Sequence, residues 1–412
     1  MSDSSVATAR AAVADTHAGL TIVLLALLLS IQPVTTDLYL PALPALTRDL
    51  SASVAAGQLT LSALLLAFGC SQLVWGPLSD RFGRRPVLLA GLAIYTVASL
   101  GSAFAPSMAL LIAWRTAQGA AMGAVVMCAR AIVRDLYSPL AGARAMSKAL
   151  TGLGLVACVC APLGGLLTVW LGWRAALLAL TGYAVLTLAL VALRMPETLA
   201  RPNPHALQPG VLLRTWGTVL RHPTFWAFSL LTTAAYGGLF TFLASSSFVF
   251  IEVLGLSRTQ YGWVLLSTAL AYFVGTFVCR TLLARHGLRR TVALAGALSL
   301  SGGTLMTLVA WAGWHQPWAL LAPFYLFMLG HGIHQPCGQS GAVGPFPQAA
   351  GVASALNGFM MMLAAFAIGG WVGAHLDGSI WPLVNGVWFW SVLLAAIAWT
   401  LVQQFGEPRE RP

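Results

Sequence analysis

One carboxylate and one arginine lie inside stretches of the chain that are otherwise apolar. Asp37 follows the apolar run 20–31, and Arg115 lies about seven residues into the apolar stretch that begins near residue 108. Charged side chains are costly in a bilayer, so they usually face a wet cavity and mark a pathway for ions or substrates. A carboxyl group whose surroundings alternate between apolar and polar changes its affinity for protons. The chemistry indicated is therefore reversible proton binding.

Asp37 and Arg115 are expected at matched depths. If the first span ends near Ala42, both lie roughly 10 Å below the outer surface at about 1.5 Å per residue. We predict that Asp37 is the proton-coupling site, or half of it, and that Arg115 tunes it or contacts the substrate. Two alternatives remain open: a permanent ion pair that only fixes helix packing, or an Asp37 in the outer headgroup layer.

The amino-acid composition indicates what kind of protein contains these two residues. Of 412 residues, 58% are apolar and 8% are charged, whereas soluble domains carry roughly 25% charged residues. The chain is therefore expected to be an integral membrane protein rather than a soluble enzyme, and its net charge of +11 does not indicate nucleic-acid binding. The cysteines lack CxxC spacing and are interpreted as small apolar residues: Cys70, Cys128, Cys158, Cys160, Cys279 and Cys337.

Twelve stretches have the length of a membrane helix, which needs roughly 20 apolar residues. They lie at about 19–43, 56–78, 86–105, 108–132, 146–170, 174–194, 223–250, 259–282, 291–312, 317–337, 349–373 and 381–403. The predicted organisation is a tail (1–18), a six-helix bundle (19–194), a linker (195–222), a second six-helix bundle (223–403) and a tail (404–412). The first helix is expected to be retained rather than cleaved as a signal peptide, and a short surface helix is expected at 210–221.

Basic residues fix the predicted orientation. With a cytoplasmic N-terminus, 18 of the 22 lysines and arginines fall in cytoplasmic segments, as the positive-inside rule requires. The outer loops hold only Arg48, Arg174 and Arg258. Both termini are therefore predicted to be cytoplasmic, and the basic balance follows from topology.

A weak internal repeat supports two halves. The segments 76–91 and 279–296 join the second to the third and the eighth to the ninth predicted spans, and Gly83 and Gly287 lie 204 residues apart in them. Paired six-helix halves are typical of transporters whose site lies between the halves near the midplane.

Three motifs resemble those of a known family. GPLSDRFGRRPVLLAG (76–91) resembles the signature loop of the major facilitator superfamily. TTDLYLPALPAL (35–46) resembles the first-helix motif of its twelve-span drug/proton antiporters, and more narrowly of the Bcr/CflA subfamily. WRTAQGAAMGAVVMCARAIVRDLY (114–137) resembles that group's fourth-helix motif, with Arg115 and Gln118 in place. The resemblance implies an all-α fold of two pseudo-symmetric six-helix bundles that works by alternating access.

The signature loop, by this resemblance, latches the two halves in the outward-facing state. The predicted latch comprises Gly76, Asp80, Arg81, Gly83, Arg84, Arg134 and Asp135. The alternatives are ordinary positive-inside anchoring for the loop and simple solvation for Asp135.

The fifth helix departs from the family pattern. The antiporter motif GPxxGG is replaced by CAPLGGLL at 160–167, where Ala161 stands in place of the glycine. Pro162 frees a backbone carbonyl and bends the helix, and Gly164 and Gly165 allow close helix packing. We expect the helix bend to be shifted by one residue relative to its place in the family's motif.

Aromatic, soft and polar residues suggest the substrate cavity. The candidates are Tyr39, Gln118, Tyr236, Phe240, His331, His334, Asn357 and Met361. Flexible and aromatic surfaces suit variable ligands, although lipid-facing helices contain the same residue types. His331 and His334 share one helix face and titrate near neutral pH, so a proton or substrate role competes with hydrogen-bonded packing. Glu252 and Asp377 are expected near the outer ends of helices. Each is either a solvated helix-end residue or part of a periplasmic gate.

The predicted function is proton-driven export of amphipathic drug-like molecules, such as chloramphenicol or bicyclomycin. The alternative is a proton-coupled transporter of a metabolite such as a nucleoside or amino acid. No HExxH or P-loop motif occurs, so neither an enzyme nor direct ATP drive is expected. We expect no cofactor or metal, with protons and the lipid bilayer as partners, and a monomer in the bacterial inner membrane.

Overall fold

The computed structural model describes residues 18–137, 139–204 and 206–406. Within them the chain is helical and forms no strand. The predicted tails lie almost wholly outside these residues. We number the membrane spans 1 to 12 and call the end of the bundle that carries Arg48, Arg174 and Arg258 the outer end, after the predicted orientation.

The helices follow the predicted order. Their bounds are Ala18–Asp37, Leu43–Asp49, Val54–Phe82, Arg84–Ala103, Met108–Leu136, Pro139–Leu171, Trp173–Arg194, Pro209–Leu220, Pro223–Ser247, Arg258–Trp311, Pro317–Val343, Ala350–His375, Trp381–Trp399 and Leu401–Phe405. Pro209–Leu220, the linker helix, lies where the sequence predicted a short surface helix. Span 7 continues from Ser247 into a wider helical turn, Phe248–Val253.

Ten helices among the described residues are long and apolar enough to cross a membrane. One of them, Arg258–Trp311, contains both span 8 and span 9, because its φ/ψ angles break from the helix at Gly287. Span 10, Pro317–Val343, is not among the ten; it carries His331, His334 and two glutamines that make it more polar. With these two additions, the structure has the twelve predicted spans.

Span 1 is longer than predicted. Its helix stops at Asp37, passes through a short 3₁₀ turn at Leu40–Ala42 and resumes as Leu43–Asp49. Pro41 and Pro44 lie at the starts of the 3₁₀ turn and of the resumed helix, where a proline's missing N–H is tolerated. The predicted end near Ala42 was therefore too early, and Asp37 lies about 18 Å from the end of the span at 1.5 Å per residue.

The repeat seen in the sequence has a matching backbone. Gly83 has φ 104° and ψ 157° between spans 2 and 3, and Gly287 has φ 70° and ψ 179° between spans 8 and 9. Only glycine readily adopts this region. Each half therefore turns the chain with the same residue type at the same place.

The two halves meet along two helix pairs. Span 2 packs against span 11, and span 5 packs against span 8. At the inner end, a cavity of about 540 Å³ lies between spans 2, 4 and 11 and the linker helix. At the outer end the halves touch through the contacts described below, and at the inner end they line this cavity together.

Candidate functional site

Asp37 lies at the boundary between the two halves. It is partly buried and accepts a hydrogen bond of 2.8 Å from the Thr36 hydroxyl. It lies within electrostatic reach of Tyr236 in span 7 and Tyr261 in span 8. The Cys158 and Cys160 thiols of span 5 lie within electrostatic reach as well. A carboxylate so placed can respond to the relative position of the halves.

Arg115 is fully buried inside the first half. Its Nη1 donates to Gln118 Oε1 at 2.7 Å, and its Nη2 donates to the Thr35 carbonyl at 3.1 Å. Its guanidinium also lies 4.3 Å from the centroid of the Tyr39 ring, a cation–π geometry. Arg115 therefore holds the chain two residues before and two residues after Asp37.

No ion pair joins Asp37 to Arg115 in the part of the chain that the structure describes. The four ion pairs there involve other residues. In this conformation the permanent-pair alternative has no support, and Arg115 instead contacts the chain on either side of Asp37, at Thr35 and Tyr39. The headgroup alternative also fits poorly, because the span continues for twelve residues beyond Asp37.

Several polar residues that sequence reasoning missed complete the Arg115 cluster. The Tyr39 and Thr60 hydroxyls lie 2.6 Å apart, as do those of Thr35 and Tyr95. Gln118 donates to Ser99 Oγ at 2.7 Å. Nothing in the spacing of Thr60, Tyr95 or Ser99 marks them, since isolated hydroxyls are common in membrane helices.

The bend motif of span 5 forms close backbone contacts on two sides. A Cβ on Gly164 would lie 2.1 Å from the Leu38 carbonyl oxygen, next to Asp37. A Cβ on Gly165 would lie 2.6 Å from the Arg258 carbonyl oxygen, in the second half. Gly262 of span 8 approaches Pro162 in the same way, with its Cβ position 2.8 Å from Pro162 Cα. The motif therefore packs span 5 against span 1 and against span 8 at once.

The eight candidate cavity residues are all buried within the protein, with exposures of 8% or less. They divide into two groups: Tyr39 and Gln118 belong to the Arg115 cluster, and the other six lie on spans 7, 10 and 11 of the second half. Tyr236 stacks on Phe240 at 6.2 Å. Asn357 Oδ1 accepts a hydrogen bond of 2.8 Å from Thr232, and Met361 packs in the core. None of these faces lipid.

The two histidines differ in their partners. His331 Nδ1 lies 3.0 Å from the Ala235 carbonyl oxygen, and its ring stacks on Phe327 at 6.4 Å. His334 is fully buried; its ring lies near the Ala295 backbone carbonyl, although neither ring nitrogen forms a hydrogen bond of ordinary geometry among the described residues. The hydrogen-bonded packing interpretation thus fits His331 better than His334.

The predicted latch residues bond within the first half. Arg84 pairs with Asp80 at 2.6 Å and with Asp135 at 2.8 Å. Glu197 of the linker, which the sequence analysis missed, accepts the backbone N–H groups of Arg84 and Arg85 at 3.0 and 3.1 Å. A carboxylate at a helix N-terminus is favourable. Glu197 therefore anchors the start of span 3.

The remaining predicted latch residues form none of these ion pairs. Gly76 and Arg134 line the inner cavity, and Arg81 lies over the Phe82 ring at 5.5 Å.

At the outer end, Arg48 bonds Glu252 across the two halves. Asp377 instead accepts from Ser379, whose side chain and backbone hold the pKa of Asp377 below its ordinary value.

These features define a class of protein. Two six-helix halves with a repeated 2–3 connection, a charged residue at their boundary and a cavity lined by both halves describe a membrane transporter, not an enzyme. Residues 25–369 match the Major Facilitator Superfamily. The chain belongs to this superfamily, and within it to the group of Bcr/CflA-type drug antiporters.

Individual relatives agree with this assignment. The chain is 34% identical to Multidrug resistance protein D of Escherichia coli, over 82% of this chain and 84% of that one. It is 30% identical to the Chloramphenicol resistance protein of Pseudomonas aeruginosa, over 89% and 82%. The fold is similar to an inward-facing, occupied crystal structure of a bacterial homolog of the human lysosomal transporter Spinster, with a TM-score of 0.73, 14% identity and coverage of 96% and 99%.

Proposed function

We propose that this protein exports drug-like amphipathic small molecules from a bacterial cell in exchange for protons. The observation that carries the proposal is the position of Asp37: a carboxylate that forms no ion pair among the described residues and lies at the boundary between the halves, within electrostatic reach of Tyr236 and Tyr261. The names of its relatives, which include multidrug and chloramphenicol resistance proteins, support the substrate class.

The coupling follows from the place of the carboxylate. When the inner end is open, substrate enters between the halves and Asp37 releases its proton toward the cytoplasm. When the outer end opens, protonation of Asp37 favours departure of the substrate. An inward-moving proton supplies about 2.3 kcal/mol for each 100 mV of membrane potential, so neither ATP nor a cofactor is needed.

Arg115 keeps Asp37 in position during this cycle. It bonds the Thr35 carbonyl and contacts the Tyr39 ring, and it therefore sets the orientation of the Asp37 carboxylate. Both termini lie in the cytoplasm, in keeping with the distribution of the arginines, and the protein works as a monomer in the inner membrane.

The test uses purified protein in liposomes that contain a pH-sensitive dye. Chloramphenicol, bicyclomycin, a lipophilic cation and nucleosides are added in turn under an imposed proton gradient. Proton release that depends on a drug-like compound, and that falls to the level of protein-free liposomes in Asp37→Asn, supports the proposal. Asp377→Asn is the matched control, because Asp377 lies in an outer loop and accepts a hydrogen bond from Ser379. Unchanged proton flux in Asp37→Asn would refute the coupling role, and a response to nucleosides alone would replace the substrate class.

A further inference from the structure

The cavity at the inner end has the size of a small-molecule site. Its volume of about 540 Å³ lies within the range of roughly 300–1,000 Å³ found for ligand pockets. Its walls come from the inner ends of spans 2 and 4, the start of span 11 and the linker helix. It is separate from Asp37, which does not line it.

Two arginines in this cavity have no carboxylate partner among the described residues. Arg130 and Arg134 lie one turn apart on span 4 and both line the cavity. Arg130 donates a single hydrogen bond, of 3.2 Å, to Ser354 of the second half. Arg134 forms no ion pair in the described structure. The two guanidinium groups therefore have unused donors in the same space.

The carboxylates near these two arginines already form ion pairs with another arginine. Asp80, which lines the cavity, pairs with Arg84 at 2.6 Å, and Asp135 pairs with the same arginine at 2.8 Å. The positive charge of Arg130 and Arg134 is thus left for a ligand. A guanidinium presents its donors in a planar fork that matches carboxylate and phosphate oxygens.

The rest of the lining is apolar. Leu212 and Trp216 of the linker helix form one wall, with Leu73 of span 2 and Met127 of span 4. A ligand that fits both parts has an anionic group for the arginines and an apolar body for this wall. Aromatic and methionine side chains provide large and adaptable contact surfaces.

We propose that this inner cavity is a capture site for amphipathic organic anions, in which Arg130 and Arg134 bind a carboxylate, sulfonate or phosphate group. The claim that the captured molecule is then exported rests on the proposed function; the binding itself does not.

The experiment measures binding of 1-pyrenesulfonate, a fluorescent aromatic anion, to the full-length protein in phosphatidylcholine nanodiscs. Its uncharged analogue 1-pyrenemethanol is measured in parallel. Arg130→Gln and Arg134→Gln should each weaken binding of the anion about tenfold, as expected for loss of one charged hydrogen bond, and leave the uncharged analogue unchanged. Arg214→Gln is the control, because Arg214 is an exposed cation of the linker helix that does not line the cavity.

Two results would overturn the proposal: equal affinity for the anion and its analogue, or an equal loss in Arg214→Gln, which would indicate general surface charge. A second arm replaces part of the phosphatidylcholine with phosphatidylglycerol. Competition by this lipid in the native protein, lost in Arg130→Gln and Arg134→Gln, would support the anion site and assign it to a lipid headgroup. Absence of competition assigns it to the free anion. Because no transport is measured, a failed drug-export assay and a failed binding assay remain distinguishable.

Discussion

Arg48 in the first half and Glu252 in the second half form an ion pair at the outer end of the protein. Arg48 Nη1 lies 2.8 Å from Glu252 Oε1 and 2.7 Å from Oε2. The pair must break for the halves to separate at this end. Of the two roles left open for Glu252 by the sequence, this geometry favours the gate.

We expect Glu252→Gln to shift the population toward the outward-open state, because it removes an attraction present only when the outer end is closed. The Arg48 and Glu252 side chains are 59% and 36% exposed, and exposed pairs contribute about 0.2–1 kcal/mol. The expected shift is therefore no more than about fivefold. Spin-label distances across the outer end measure it. The charge swap Arg48→Glu with Glu252→Arg should restore the native distribution; if both single variants behave as the native protein, the pair is no gate.

Gly262→Ala should open the outer end more strongly than loss of the ion pair. Its Cβ would lie 2.8 Å from Pro162 Cα, which forces spans 5 and 8 apart, and overpacking of this kind costs about 1–3 kcal/mol. Labelling of a cysteine placed between the two halves at the outer end measures the opening. Gly182→Ala is the matched control in span 6, since nothing lies within 4 Å of its Cβ. Equal labelling in both variants would contradict the prediction.

Arg115→Lys should abolish substrate-driven proton release although the charge is kept. A lysine cannot reach Gln118, the Thr35 carbonyl and the Tyr39 ring together, because it lacks the planar fork. Loss of a hydrogen bond to a charged group should also lower the free energy of unfolding by about 1.5–3 kcal/mol. Thermal unfolding and the dye assay measure the two effects. Arg174→Lys, at an exposed pair with Asp49, should leave both unchanged; full transport in Arg115→Lys would show that only its charge matters.

Gly83→Ala should destabilise the protein more than Gly287→Ala. Both glycines have backbone angles that only glycine readily adopts, so each change costs on the order of 1–3 kcal/mol. A Cβ on Gly83 would in addition lie 2.5 Å from Glu197 Oε2, whereas nothing lies within 4 Å of one on Gly287. The first variant therefore also displaces Glu197 from the N-terminus of span 3. Thermal unfolding of both variants gives the difference, and equal losses would mean that Glu197 contributes nothing.

The sequence by itself determined the architecture. Runs of apolar residues with the length of a bilayer predict twelve spans, and all twelve are present, although the end of span 1 was placed too early. The arginine distribution predicts an orientation that stays a prediction. The loop at 76–91 and its counterpart at 279–296 predict paired halves, and Gly83 and Gly287 share one backbone conformation there. These features follow from local composition and spacing, which the bilayer constrains directly.

Only the tertiary structure decided which groups meet. Asp37 and Arg115 have matching depths in the sequence, yet the structure turns Asp37 to the boundary between the halves and Arg115 into the first half. The partners of Gly165 and Glu252 come from the other half, about 90 and 200 residues away along the chain. Helix packing, in which small residues allow close approach, sets the rotation of each span about its own axis. That rotation depends on contacts between distant segments, so no local pattern encodes it.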